Sequence, residues 1–312
     1  STVSLLTLAS RITGMLRDVL MNSAFGVSAW TDAFWVAFRI PNMFRRLFAE
    51  GAFSQAFVPV LAASKERDGE AATHALIDSV ATLLTLALVV TCVVGIVGAP
   101  VLVYVLASGL PADGFSAAVH LTRWMFPYIA CMSLVALGAG VLNTWKNFAI
   151  PAATPVLLNV AMISAAWLGA PWLGSLGVQP IYAMAAGVMG GGALQLGAIW
   201  WAMQRRGLAP RLRLSVAGAR AAWAQPDTRR IVQLMGPALL GVSVSQISLL
   251  INTQIASHLG TGSVTWLNNA SLLMEFPTAM LGVALGVVLM PQLAAAKASQ
   301  DHERFSGMID WG

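Results

Sequence analysis

Long apolar runs separated by short polar breaks dominate the chain. They lie at about 3–25, 29–62, 74–107, 117–144, 152–172, 179–203, 231–258 and 264–295, and each approaches or exceeds the roughly 20 residues that a helix needs to cross a bilayer. Eight transmembrane helices are predicted. Barrel strands would alternate polar and apolar residues over about 10 positions, whereas stretches such as Ala81 to Val90 are apolar throughout apart from two threonines. The expected fold class is an all-α polytopic membrane protein.

Composition agrees, since 57% of the 312 residues are hydrophobic and only 10% charged. A soluble globular domain is excluded. A net charge of +5 would point to an anionic partner in a soluble protein, but here the basic residues sort by loop, and no nucleic-acid partner is expected. Lys65, Arg67, Lys146, Arg205, Arg206, Arg211, Arg213, Arg220, Arg229, Arg230, Lys297 and Arg304 follow the even-numbered helices, and segments 26–31, 107–116, 169–180 and 259–263 carry no lysine or arginine. By the positive-inside rule the even loops and the N-terminus are cytoplasmic. The first run passes signal-peptide length without a small-residue cleavage site, so no cleavable leader is expected.

Six basic residues remain inside the runs: Arg11, Arg17, Arg39, Arg45, Arg46 and Arg123. Five fall in the first two helices, and each arginine at the centre of a lone helix costs roughly 2.5–3.5 kcal/mol. Ser4, Arg11 and Asp18 recur every seven residues, as do Asp32, Arg39 and Arg46, with Asn42 and Glu50 near the second line. Heptad spacing keeps such residues close to one helical stripe. One reading is a polar cavity between helices one and two, in which arginine forks bind phosphate oxygens, diphosphate above all. The other is structural, with Arg11–Asp18 and Arg46–Glu50 ion pairs and Arg45 snorkelling to the surface.

Other chemistry is sparse. Cys92 and Cys131 stand alone in apolar runs and read as buried packing residues, so neither metal nor cofactor is expected. His74, His120, His258 and His302 have no catalytic neighbour in the sequence, which argues against a polyprenyl-phosphate enzyme. Arg39-Ile40-Pro41 with Pro59 is echoed by Glu275-Phe276-Pro277 with Pro291, which suggests a duplicated helix. The expected organisation is a six-helix lobe over 1–203, a basic connector over 204–230, and the first two helices of a second lobe over 231–312. The connector's Arg211-Leu212-Arg213-Leu214 suits either an anionic leaflet or a plain positive-inside anchor. Gly187-x-x-x-Gly191 and Gly282-x-x-x-Gly286 read as close helix contacts.

The segments SRITGMLRD, TDAFWVAFRIPNMFRRLFAEGAFSQAFVP, GPALLGVSVSQISLLINT and MEFPTAMLGVALG resemble the bacterial lipid II flippase family MurJ (MviN), of the multidrug/oligosaccharidyl-lipid/polysaccharide exporter superfamily. The resemblance implies fourteen helices in two lobes, of which this chain supplies the first eight. It also implies alternating-access transport of the undecaprenyl-diphosphate-linked peptidoglycan precursor across the bacterial inner membrane. An ion or the membrane potential drives such transport, with the peptidoglycan synthesis machinery as a further partner. Arg11, Arg17 and Arg45 match the family's headgroup-binding arginines, and Asp32 its helix-two aspartate. Arg39, Asn42, Arg46 and Glu50 match flanking positions, and Glu275 sits where helix eight should bend toward the cavity. Where the family reads Tyr-Ala-Asp-Arg-Leu, this chain has Asn269-Ala270-Ser271-Leu272-Leu273, so an expected aspartate and arginine are absent. That departure keeps two alternatives open: export of another polyprenyl-linked glycan, or a transport-inactive scaffold.

Overall fold

A computed structural model describes residues 2–45 and 52–274. The apolar runs become helices, and no strand occurs among the described residues. The order is α1 (Thr2–Phe25), α2 (Ala29–Arg45), α3 (Ala52–Arg67), α4 (Gly69–Val97), α5 (Ala99–Ala107), α6 (Ala112–Met125), α7 (Tyr128–Thr144) and α8 (Ala149–Ser164). A π-helical turn (Ala165–Gly169) leads into α9 (Ala170–Ser175), followed by α10 (Tyr182–Arg205), α11 (Val216–Ala224) and α12 (Pro226–Ser257). A further helix begins at 263 and runs through 274.

Several runs fold as two consecutive helices. Pro100 lies in the first turn of α5, and Pro127 precedes α7, positions where the missing N–H costs least. Gly69–Val97, Ala112–Thr144, Ala149–Ser175 and Tyr182–Arg205 are long and apolar enough to cross a membrane. The two halves of α12, Pro226–Gly241 and Gln246–Ser257, meet at 48°. Pro237 lies within the first of those halves.

The chain forms two compact units, Ser1–Thr265 and Trp266–Gly312. In the first, α2 is the most enclosed element, with residues 31–41 all buried. Its Phe34 and Phe38 rings stack at 5.6 Å, and the helix packs chiefly on α6. Small residues let the helices close up. A Cβ at Gly187 would lie 2.7 Å from the Ala165 Cβ, and one at Gly191 would lie 2.7 Å from Leu158 Cδ1. The first glycine pair is therefore a packing contact between α10 and the α8 segment with its π turn, whereas Gly282 and Gly286 lie outside the described residues. In the second unit, the described part is helix 266–274, where the Ser271 hydroxyl donates back to the Leu267 carbonyl at 2.9 Å.

The connector is seated on α4 by its main chain. Arg211 N donates to Asp78 Oδ1 at 2.8 Å, and Arg213 N donates to Thr82 Oγ1 at 3.2 Å. Ser215 then caps α11, accepting from Gly218 N at 3.0 Å. Gly218 is required there, because a Cβ would stand 2.2 Å from the Arg213 carbonyl oxygen. Arg67, the last residue of α3, pairs with Asp68 at 2.7 Å and with Asp227 of α12 at 3.1 Å. The Arg67 guanidinium, chiefly through its hydrogen bond, holds the Asp68 carboxyl below the usual aspartate range.

Candidate functional site

The cations of α1 and α2 serve two separate networks. On α1, Ser10, Thr13 and Arg17 share the face that packs against α8. Arg17 lays one edge of its guanidinium on its sequence neighbour Asp18, with Nε to Oδ1 at 2.8 Å and Nη2 to Oδ2 at 3.0 Å. Its Nη1 donates across the interface to Asn159 Oδ1 at 3.0 Å, with the Met162 sulfur at 3.9 Å. Asn159 in turn donates from Nδ2 to the Ser10 carbonyl at 3.1 Å and to Thr13 Oγ1 at 3.0 Å. The Arg17 side chain is 16% exposed and that of Asp18 only 2%, so the pair lies at the edge of the packed interior.

On α2, Asp32 is buried and collects three donors. Its Oδ2 accepts Gly262 N at 2.5 Å, and its Oδ1 accepts Thr265 N at 2.8 Å and the Thr265 hydroxyl at 2.6 Å. Those amides are orphan donors at the start of the helix that begins at 263, so Asp32 acts as a capping carboxylate supplied by a distant helix. One heptad further along the same face, Arg39 donates to the Thr253 hydroxyl of α12, and Thr253 passes its own proton to the Leu249 carbonyl at 2.7 Å. Arg39 is 6% exposed.

The sequence-derived residues therefore fall into groups. Arg17 is joined to Asp18 and Asn159, whereas Asp32 and Arg39 are joined to α12 and the turn that follows it. Arg11 is exposed, and the Arg11–Asp18 pair expected from heptad spacing is replaced by Arg17–Asp18. A long arginine side chain can lie back along its own helix and reach the next residue. Asn42 is half-buried on α2, and Arg45 is that helix's last residue. Arg46, Glu50 and Glu275 lie outside the described residues. Ser271 and Leu272 are helical and half-buried. Cys92 and Cys131 are free thiols and half-buried rather than buried.

Asn159 was missed by the sequence reading. The signal was there, since an amide in the run Leu157-Leu158-Asn159-Val160 must find internal partners inside a membrane. A groove of about 920 Å3 between α6, α8, the π turn, α9 and α10 is lined by His120, Trp124, Trp172, Tyr182 and small residues. Among the described residues no arginine or carboxylate stands on its walls, so it is no seat for an anionic headgroup.

An all-helical bundle with several helices long and apolar enough to cross a membrane defines a polytopic membrane protein. The family follows from comparison: the family model for lipid II flippase MurJ matches residues 21–312, and the chain belongs to that family. Arg11 and Arg17 precede the first matched residue, but the relatives' alignments reach them. The lipid II flippase MurJ of Burkholderia cenocepacia is 51% identical over 313 residues, covering 100% of this chain and 59% of the relative. A probable lipid II flippase MurJ of Vibrio cholerae is 38% identical, covering 99% of this chain and 59% of the relative. The chain thus spans about three-fifths of the length of the curated relatives it matches. A solved structure of a lipid II flippase MurJ in an inward closed conformation superposes with a TM-score of 0.74 at 24% identity. That match covers 98% of this chain and 60% of the other and bears on the fold alone.

Proposed function

We propose that this chain carries the N-terminal part of a flippase that moves lipid II from the cytoplasmic to the periplasmic leaflet of the bacterial inner membrane by alternating access. The observation that carries the reading is the Arg17–Asp18–Asn159 network between α1 and α8 of a family member. An ionised arginine is expensive in a bilayer, and its planar fork suits a diphosphate. The basic even loops support a cytoplasmic N-terminus. In that orientation, the Asp32–Thr265 contact lies toward the outer end of α2 and the Arg39–Thr253 contact one heptad further in. The lobes are 1–203 and 231–312, joined by the connector 204–230, and coupling to an ion or to the membrane potential belongs to the same reading.

Membrane lipids enter as a second partner. Leu212, Leu214, Val216 and Trp223 are exposed beside Arg211, Arg213 and Arg220. The connector meets α4 at Asp78 and Thr82, where that helix passes from charged to uncharged sequence, the level of the headgroups.

The test is lipid II affinity of the purified chain. Arg17→Ala and Arg45→Ala should each weaken binding by about tenfold or more, the scale of one charge-assisted hydrogen bond. Unchanged affinity in both variants would overturn the headgroup reading. Leu272, where the family carries a cation, favours a second reading as a scaffold that does not transport. Rescue of flippase-depleted cells by this chain alone would eliminate it.

A further inference from the structure

Arg17 has company that the proposed function does not require. We infer that Asn159 is a positioning residue: it fixes the Arg17 guanidinium against α8, and its contribution to anion binding passes entirely through Arg17. The inference rests on the flippase reading.

The amide can face only one way. A guanidinium only donates and the Ser10 carbonyl only accepts, so Oδ1 must face Arg17 and Nδ2 must face Ser10. Thr13 sharpens the constraint. Its hydroxyl proton goes to the α1 backbone, with Ala9 O at 2.8 Å and Ser10 O at 3.1 Å, which leaves Oγ1 only a lone pair to offer. Nδ2 donates to it at 3.0 Å. Asn159 is 4% exposed, and a side chain so enclosed, with both ends engaged, has no second rotamer that preserves these bonds.

Asp18 holds Nε and Nη2 of Arg17 but leaves Nη1 unsecured. Asn159 secures it, and the guanidinium plane is then defined at all three nitrogens. Nη2 lies within 3.0 Å of both Asp18 oxygens, so the Nη1 side, where one proton faces only the weakly accepting Met162 sulfur at 3.9 Å, is the edge open to an incoming phosphate oxygen. Charge-assisted recognition of that oxygen depends on how the guanidinium is oriented. Without Asn159, Nη1 loses its acceptor and the fork can rotate toward Asp18, which already neutralises it.

The experiment is a double-mutant cycle on lipid II binding by the purified chain, with thermal midpoints measured in parallel. Asn159→Leu preserves bulk and removes every hydrogen bond. It should weaken binding about tenfold in the otherwise unchanged chain and have no effect in the Arg17→Ala background. Thr13→Val, which removes one acceptor from Asn159 and leaves Arg17 untouched, should give a smaller loss, again only while Arg17 is present. A midpoint shift alone does not produce this pattern, because lost packing would reduce binding equally in both backgrounds. Equal losses in both backgrounds, or no loss in either, would overturn the positioning role while leaving the Arg17 ligand role intact. If Arg17→Ala alone left affinity unchanged, this inference would fall, whereas the headgroup reading would fall only if Arg45→Ala were silent as well.

Discussion

Asp32 and Thr265, 233 positions apart in the chain, are joined twice: one carboxylate oxygen takes both the amide and the hydroxyl of the threonine. The second oxygen takes Gly262 N. A single buried side chain on α2 thus satisfies three donors at the turn that follows α12.

Removing that carboxylate leaves buried donors unpaired, which costs more than the bonds were worth. Asp32→Ala should lower unfolding stability in detergent by about 2–3 kcal/mol. Thr265→Val, which loses one hydroxyl bond, should cost about 1 kcal/mol. Denaturant midpoints of the two variants check the order as well as the size.

Gly95 is a packing site with no room to spare. A Cβ there would fall 1.9 Å from the Phe126 ring, which is itself 2% exposed. Gly95→Ala should destabilise by about 1–3 kcal/mol through forced repacking. Gly190→Ala, where nothing lies within 4 Å, should be neutral or slightly stabilising. Thermal midpoints measured side by side test the contrast.

Arg67 sets an acid limit. Its hydrogen bond depresses the Asp68 carboxyl below the usual aspartate range. A carboxyl whose folded value is depressed contributes stability that is fully present above its unfolded value of about 3.9. That contribution is lost only as pH falls through the lower folded value. The Arg67–Asp68 contribution should therefore be constant from pH 7 to about 5, begin to fall near about 3.9 and be gone only once pH passes the lower folded value. Comparing Arg67→Gln with the unchanged chain across that window, the difference in midpoint should shrink only at the acid end.

The resemblance to the family pattern implies an arginine where this chain has Leu272. Leu272→Arg together with Ser271→Asp restores the pattern and should tighten lipid II binding by about tenfold. Isothermal titration decides it, and unchanged affinity would show that this chain does not use that helical position for its ligand.

The helices were legible because apolar runs long enough to span a bilayer have few other folded outcomes. Where each helix would point its charges was legible only in part. The heptad from Asp32 to Arg39 correctly put both on one stripe of α2, but periodicity names a face and not its neighbour. Their contacts with Gly262, Thr265 and Thr253 come from more than 200 positions away. Arg17 was identifiable as costly and therefore meaningful. Its pairing with Asp18 was not, since neighbours on a helix point about 100° apart and only side-chain length brings them together. Asn159 carries no charge and interrupts its run only once, so it left almost no mark on the hydropathy pattern.

The connector is fastened to α4 through main-chain amides at 211 and 213, and an amide is supplied by every residue except proline. Its seat is therefore indifferent to what the side chains are. The basic heads of Arg211 and Arg213 can be exchanged for neutral or acidic ones while the segment keeps its place, so the charge presented at this surface can be retuned, by mutation or by design, without altering how the chain is held together.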